Sequence, residues 1–420
     1  MHGFYRIAWL FALGLLISAA CLAQEDRIVE HRDPITIDPN LTLPQLVDFT
    51  LENYPDSALF AALYEEADAL QRRGDSWIAG ALNAGFFYRD GWHSDATATG
   101  APEVSGEIQV PLWNWGQRSA GRELAENARL VGEFRIKAIK LQVAGLVRNA
   151  LWKLAVADNR LEMAKRVHAV SKQLVATVKR RVDLGDLPGA DLLLAESEHL
   201  AIRSDVVRAE AEQMHARKSL TTLTQTSRIP SDFKETQSRL SDITPEHPAL
   251  TAVNALLERK KAELGWVKSA GSGQSSIALG ANSQRGSNPG SGVETLTVAV
   301  NVPFGGGAHQ APEISAVNLQ LTEAITQRDH LYRDLSQALH EAKHALEVDR
   351  AELKIAKQRK ALAEKHLKLI GLSFDLGEMD LIDLLKIQSR AHKAIRAAQE
   401  REIILQRDTA LYNQVVGVMP

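Results

Sequence analysis

The chain has one cysteine, Cys21, in 420 residues. No intramolecular disulfide can therefore staple it, and its stability has to come from packing. Aromatic residues make up only 5% of the sequence against 45% hydrophobic residues overall, so the large rings that fill compact enzyme cores are scarce and elongated or repetitive packing is favoured. Beyond the N-terminus no segment has about 18 consecutive apolar residues, which excludes a helical membrane anchor. There is no surplus of positive charge either: the formal net charge is -3, and no basic footprint for a nucleic acid exists.

The N-terminus reads as an address. In "MHGFYRIAWLFALGLLISAACLAQED" one arginine, Arg6, precedes an apolar run from Ile7 to Ile17 and then small residues, the order of a cleaved secretory signal peptide. Cleavage after Ala23 leaves Gln24 as the first mature residue; lipidation of Cys21 after Ala19 and Ala20 is the alternative, and simple cleavage is preferred. Export without disulfides suits a bacterial envelope protein with a large packed body.

One motif occurs twice. Asp183, Leu184, Gly185, Asp191, Leu192 and Leu193 recur as Asp375, Leu376, Gly377, Asp383, Leu384 and Leu385, each 192 positions later. Val110-Pro111-Leu112 and Val302-Pro303-Phe304 share that offset, and Tyr54-Pro55 falls within one residue of it from His247-Pro248. The chain is a tandem duplication. Its expected parts are a signal peptide (1–23), a linker (24–40), a first repeat (41–228: helix, β-hairpin 76–112, long helical hairpin), a linker (229–245) and a second repeat (246–420: helix, β-hairpin 275–304, long helical hairpin).

Before each Val-Pro pair the sequence alternates with a period of two. Val104, Gly106, Ile108, Val110 and Leu112 interleave with Ser105, Glu107 and Gln109; Leu296, Val298, Val300, Val302 and Phe304 interleave with Thr295, Thr297, Ala299 and Asn301. These are strands with one oily and one wet face. The stretches from Ser76 and from Ser275 read as their hairpin partners, joined by "GWHSDATATGAP" and "SNPGSG" loops. At roughly 10 residues the strands have the length a tilted strand needs to cross a bilayer.

After each Val-Pro pair the period becomes helical. There is no proline from Trp113 to Leu187 or from Glu313 to Met419, and Val143, Leu146, Ala150, Leu154, Ala157, Leu161 and Ala164 recur in steps of three and four. About 60 helical residues would span roughly 90 Å. The repeated Asp-Leu-Gly motif is the turn that ends each long helix, with glycine in the left-handed conformation and an Asp near the start of the next helix. Both turns are expected at one end of the molecule. Four membrane strands cannot close on themselves, and open edges in lipid leave backbone groups unpaired. Closure requires other copies, and three chains of four strands would give 12, within the known range of barrels.

The duplication, "VPLWNWGQRSAGRELAENARL" with its counterpart after Val302, and the two Asp-Leu-Gly to Asp-Leu-Leu turns together resemble the trimeric outer-membrane channels of the TolC type, over about Leu41 to Val418. The resemblance implies a mainly α fold with transmembrane β structure: duplicated helical hairpins forming a periplasmic α-barrel, and four strands per chain in a 12-stranded trimeric β-barrel. It implies a homotrimer working with a periplasmic adaptor and an inner-membrane transporter that supplies the energy. It further implies adaptor docking at Leu184, Gly185, Leu376 and Gly377, an entrance residue at Asp383, and strand-to-helix crossovers at Pro111 and Pro303. One turn after Asp383, where some family members carry a second Asp, this chain has Lys386, so a strongly acidic, cation-selective entrance does not carry over.

Two rival readings arise from the residues. His340-Glu341-Ala342-Lys343-His344 fits the H-E-x-x-H zinc motif of metalloproteases. It sits, however, in a charged, coiled-coil-like helix read as containing several other histidines (His330, His366, His392), where so short a pattern arises by chance; His340 and His344 would bind metal only adventitiously or along an export route. A periplasmic coiled-coil structural or adaptor protein is the other alternative, and it would need neither the oily strand faces nor the duplication. Trp113 and Trp115 are expected as membrane-interface anchors, "PFGGGAH" lacks the Lys-Ser/Thr ending of a phosphate loop, and no cofactor or catalytic residue is expected.

Overall fold

A computed structural model describes residues 34–89, 102–285 and 291–420. The signal-peptide reading of 1–23, Cys21, and most of the two hairpin loops fall outside the described residues. In chain order the elements are β1 (Thr36–Asp38), α1 (Leu43–Glu52), α2 (Ser57–Asp75), β2 (Asn83–Arg89), β3 (Glu103–Pro111), α3 (Gln117–Asp183), α4 (Gly189–Thr224), β4 (Arg228–Pro230), α5 (Pro248–Ser269), β5 (Ser276–Arg285), β6 (Gly292–Asn301), α6 (Gly307–Asp375) and α7 (Leu381–Val415). The duplication is visible element by element: a helix, a hairpin, a very long helix and a shorter returning helix, twice.

The described residues form two compact units. The first comprises those up to Tyr54, Gln142–Ser241 and Leu339–Pro420; the second comprises Pro55–Leu141 and Asp242–Ala338.

The second unit carries the sheet. Its strand order is β2-β3-β5-β6, every pair antiparallel. Register puts Ala84, Ile108, Leu279 and Val298 in one cross-strand row, Phe86, Gly106, Ala281 and Leu296 in the next, and Val110, Ile277 and Val300 in a third. Because directly paired residues share a face, these rows make one continuous apolar surface. It is not a core: Phe86, Ile108, Leu279, Leu296, Val298 and Val300 are all exposed. The opposite face is wet, with Glu103 accepting from Arg89 (3.1 Å) and from Asn282 (2.6 Å), and Gln109 donating to Ser276 (2.7 Å).

The strand expected from Ser76 starts at Asn83. Ser76 instead caps α2, and its hydroxyl bonds to the Ile78 backbone, which turns the chain before it can pair. Trp113 also departs from its expected anchoring role. Its ring meets Trp266 edge-on at 6.2 Å between centroids, and its indole N–H donates to the Ser76 carbonyl. Arg73 lies 4.1 Å over the same Trp266 ring, and Gly121 admits that ring so closely that a Cβ would sit 2.9 Å from it. Trp77 and Trp115 remain exposed. At the crossovers Asn114 bonds the Ala270 and Gly273 carbonyls and the Ser275 hydroxyl, tying the two halves of the duplication together. Helix α6 begins at Gly307 and so contains Pro312 as its sixth residue, where the missing N–H costs one bond of the second turn.

The first unit is almost wholly helical. Ion pairs and hydrogen bonds link α4 to α3 (Glu210 with Lys165, 3.3 Å; Gln213 to Asp158, 2.5 Å), α3 to α7 (Arg160 with Glu400) and α7 to α6 (Arg401 with Asp349, 3.2 Å; Glu402 with Lys357, 3.5 Å). β1 pairs in parallel with β4. The segment after β4 is packed rather than slack. Phe233 meets Trp152 edge-on at 4.8 Å, and Glu235 receives a two-pronged bond from the buried guanidinium of Arg148 at 2.8 and 2.7 Å. Arg148 also donates to the Gln414 side chain (2.6 Å) and the Val418 carbonyl (3.0 Å), and Asn413 bonds Glu235 and the Thr236 carbonyl.

Arg148 has every donor direction but one engaged by a single neighbourhood, so removing its counter-charge leaves a buried cation. Glu235→Ala is expected to cost about 3–5 kcal/mol, read as a lowered thermal midpoint by circular dichroism. The double change Arg148→Met, Glu235→Leu should cost clearly less, because it removes the charge as well as its partner.

Candidate functional site at the helical turns

Each long helix of the first unit ends by the same device. After α3, the Gly185 N–H bonds the Val182 carbonyl (3.0 Å) and the Asp186 N–H bonds the Arg181 carbonyl (2.8 Å); after α6, Gly377 bonds Phe374 (3.1 Å) and Glu378 bonds Ser373 (2.8 Å). These paired bonds are the Schellman arrangement, and they need a left-handed residue after the helix. Gly185 (φ +82°) and Gly377 (φ +76°) supply it. The returning helices start two residues before Asp191 and Asp383. α4 opens on Pro188 and Gly189 without a side-chain cap, whereas α7 is capped by Asp380, whose carboxylate accepts from the Asp383 N–H at 2.7 Å.

The two turns lie together. Val178, Ala195, Ile370, Phe374, Leu381 and Leu384, drawn from all four helices, form one buried cluster beneath them. Arg181 locks the turns: its guanidinium donates to the Phe374 carbonyl (2.8 Å), one of the last of α6, and lies 5.0 Å over the Phe374 ring. Leu184 and Leu376, by contrast, are about two-thirds exposed. Asp383 and Lys386 pair with each other at 3.2 Å on the surface of α7, so the acidic position carries its own counter-ion. Arg181 was not found by sequence reasoning; only a basic residue in the last turn of a helix hinted at it.

Of the other expected positions, Pro111 closes β3, where its carbonyl accepts from Ala79 (3.1 Å), and Pro303 follows β6, packed against Gly273. His340 and His344 are both exposed on α6, as is Glu341. Among the described residues no group of three or more His, Cys, Asp or Glu side chains is placed to hold a metal, and no helix is long and apolar enough to cross a membrane.

Further along the α6–α7 hairpin, Asp349 and Asp408 are buried carboxylates on facing helices. Arg401 bonds Asp349 and Glu352, and Arg407 bonds Asp408. Burial and then the neighbouring Asp408 push Asp349 up to about 6, against the pull of the two arginines.

The resemblance read from the repeated motifs is borne out. Residues 58–225 match the family model described as outer membrane efflux protein. No protein of curated function matches the chain in sequence. Three solved structures are similar over nearly the whole length. The CusC structure, described in terms of folding and transmembrane channel formation, is 14% identical and superposes with a TM-score of 0.73 over 93% of this chain and 96% of its own. The CmeC outer membrane channel of Campylobacter jejuni is 15% identical, with a TM-score of 0.72 over 93% and 90%. The outer membrane protein VceC of Vibrio cholerae is 16% identical, with a TM-score of 0.70 over 90% and 97%. The fold is therefore that of the TolC-type outer-membrane efflux channels.

A carboxyl group raised in the folded state binds a proton that the unfolded chain has already released. Stability is thus highest below the ordinary Asp value and falls as pH rises towards about 6, where Asp349 ionises. Asp349→Asn should remove that fall and raise the thermal midpoint above pH 6, measured from pH 4 to 8; an unchanged profile would show that Asp349 does not titrate there.

Proposed function

We propose that the protein is the outer-membrane exit duct of a tripartite efflux or type I secretion system, a passive water-filled path opened at its helical turns by a periplasmic adaptor and driven by an inner-membrane transporter. The observation that carries this reading is the sheet. Three cross-strand rows of the four strands form an exposed apolar face and the other face carries the polar hydrogen-bonded groups, with β2 and β6 each paired on one edge only among the described residues. In water such a face would aggregate; in lipid it is the stable arrangement, provided the edges find partners. Joining β6 of one copy to β2 of the next, three times, gives a closed 12-stranded barrel.

The helical unit supports the same closure independently. α4 and α6 are the outer members of its ion-paired series, and both carry unsatisfied aliphatic stripes at seven-residue spacing. On α6 these are Val348, Ile355, Leu362 and Leu369, each 40–67% exposed. On α4, Leu193 and Leu200 are exposed and Val207 and Met214 continue the spacing. A heptad of aliphatic residues is what a neighbouring helix packs onto, so α6 of one copy is expected against α4 of the next. The solved outer-membrane channels of this fold, and the family match over the first repeat, point the same way. A periplasmic coiled-coil adaptor would have no use for the apolar sheet, and a zinc protease would need its His pair in a cleft rather than on an exposed helix. Leu184, Gly185, Leu376 and Gly377 are proposed as the adaptor-docking surface, because exposed leucines flank both left-handed glycines.

Protein extracted in detergent from an outer-membrane fraction should have a native mass near three times the 46.1 kDa chain, less the signal peptides. A soluble monomer would overturn the duct reading. Leu362→Asp combined with Leu369→Asp should shift the trimer towards monomer, whereas isoleucine at both positions should not.

Bulky residues at the turns test docking separately. Gly185→Val and Gly377→Val force a branched side chain into left-handed backbone, a strain of roughly 1–2 kcal/mol. Export should fall while the native mass stays trimeric; normal export by both variants would rule the turns out as the docking surface.

A further inference from the structure

Between the two hairpins of the first unit, α3, α4 and α7 enclose a groove of about 180 Å³ whose floor is apolar (Met163, Val167, Leu174, Ile202, Leu385) and whose walls carry His199 and His392. The surroundings of His199 are built. The Ser171 hydroxyl donates its one proton to the His168 carbonyl (2.9 Å), so at His199 it can only accept, and His199 Nδ1 must carry the hydrogen of that 2.8 Å bond. The His199 ring also stacks on His168, with centroids 4.7 Å apart and planes 25° apart. His168 stands on α3, His199 on α4 and His392 on α7, and α7 belongs to the other hairpin.

We propose that this histidine-lined groove is an acid-sensitive latch: with neutral imidazoles it lets α7 pack on α3 and α4, and protonation places like charges across the contact and loosens α7 from the first hairpin. The inference rests on the duct reading, since it assigns to the latch the contact that separates when the turns open.

The charges facing the groove favour the neutral state. From α3 these are Lys172 and the His168 ring; from α4, Arg203 with Glu198 and Asp205; from α7, Lys393 and Arg396. Burial first, then His168, Lys172 and Arg203, hold His199 below the ordinary imidazole range. Burial alone does the same for His392. The sign follows from linkage: groups that protonate less readily in the packed state make packing stronger at neutral pH and weaker as pH falls below the ordinary His value.

The test is amide hydrogen exchange of residues 385–396 in the detergent-extracted protein at pH 7.5 and 5.5, corrected for intrinsic rates, in an Asp349→Asn background that removes the raised carboxyl of α6 from this window. The latch predicts several-fold faster exchange at pH 5.5 than at pH 7.5, and loss of that acceleration in His199→Gln, His392→Gln. No acceleration in the parent, or equal acceleration in the double variant, overturns the proposal. Single-channel conductance at the same two pH values separates the readings. Acid-enhanced exchange with no pore at either pH would leave the latch standing and sink the duct, and a pore whose exchange and conductance ignore pH would do the reverse.

Discussion

A backbone amide that loses water must find another partner, and that constraint organises this chain more than any single side-chain contact. The sheet spends its apolar residues on an outer face, where they are exposed in the single chain, and leaves two strand edges open. The helical unit repeats the situation in another currency, with aliphatic heptads on its outermost helices in place of amide rows. One chain is thus a segment in both units. The closure proposed above joins unlike ends, because β6 and α6 come from the second repeat while β2 and α4 come from the first. Duplication accounts for that polarity: a segment made of two like halves has unlike ends that fit each other.

Within the segment, the long helices need a sharp reversal without an exposed row of orphan carbonyls. The left-handed glycines answer this by bonding those carbonyls back to the chain. What the glycines cannot do is hold one turn against the other. That falls to the buried cluster around Phe374 and to Arg181, whose side chain meets both the helix-end carbonyl and the ring. A cation at a helix C-terminus is also favoured by the aligned peptide dipoles.

Much of this was legible before any coordinates. The 192-residue offset gave the duplication, the period of two gave the register of the oily face, and Asp-Leu-Gly gave the turns, because each is a local pattern with a local cause. Partners joined across long sequence separation were not legible. Arg148 and Glu235 lie 87 residues apart, and neither has a neighbour in sequence that marks it as buried. Asp349 stands in the charged coiled-coil-like stretch around His340, and nothing in the sequence pairs it with Asp408 on the facing helix. Trp113 was misread for a related reason: its amphipathic ring suits an interface equally well as an edge-on packing against Trp266, and only the fold distinguishes the two. His340 and His344 read as a chance match, since helical spacing brings two imidazoles to one side of a helix but cannot supply a third ligand or a cleft.

The magnitudes say where the helical unit can yield. Around Arg148 several charged and polar groups share one buried neighbourhood, and parting one from its partner while the other stays buried costs about 3–5 kcal/mol. At the turns, the bond from Arg181 to the Phe374 carbonyl contributes at most about 1.5–3 kcal/mol, as a hydrogen bond from a charged donor. Beneath it lies apolar surface that can slide or be re-covered by the side chains of another protein without leaving a charge unpaired. Opening at the turns therefore exposes mainly hydrophobic area, which an adaptor can bury again, whereas opening at Arg148 would strand an ion. Under the proposed function, movement falls at the turns for that reason, and the exposed Leu184 and Leu376 are the residues proposed to give a docking protein apolar area to cover.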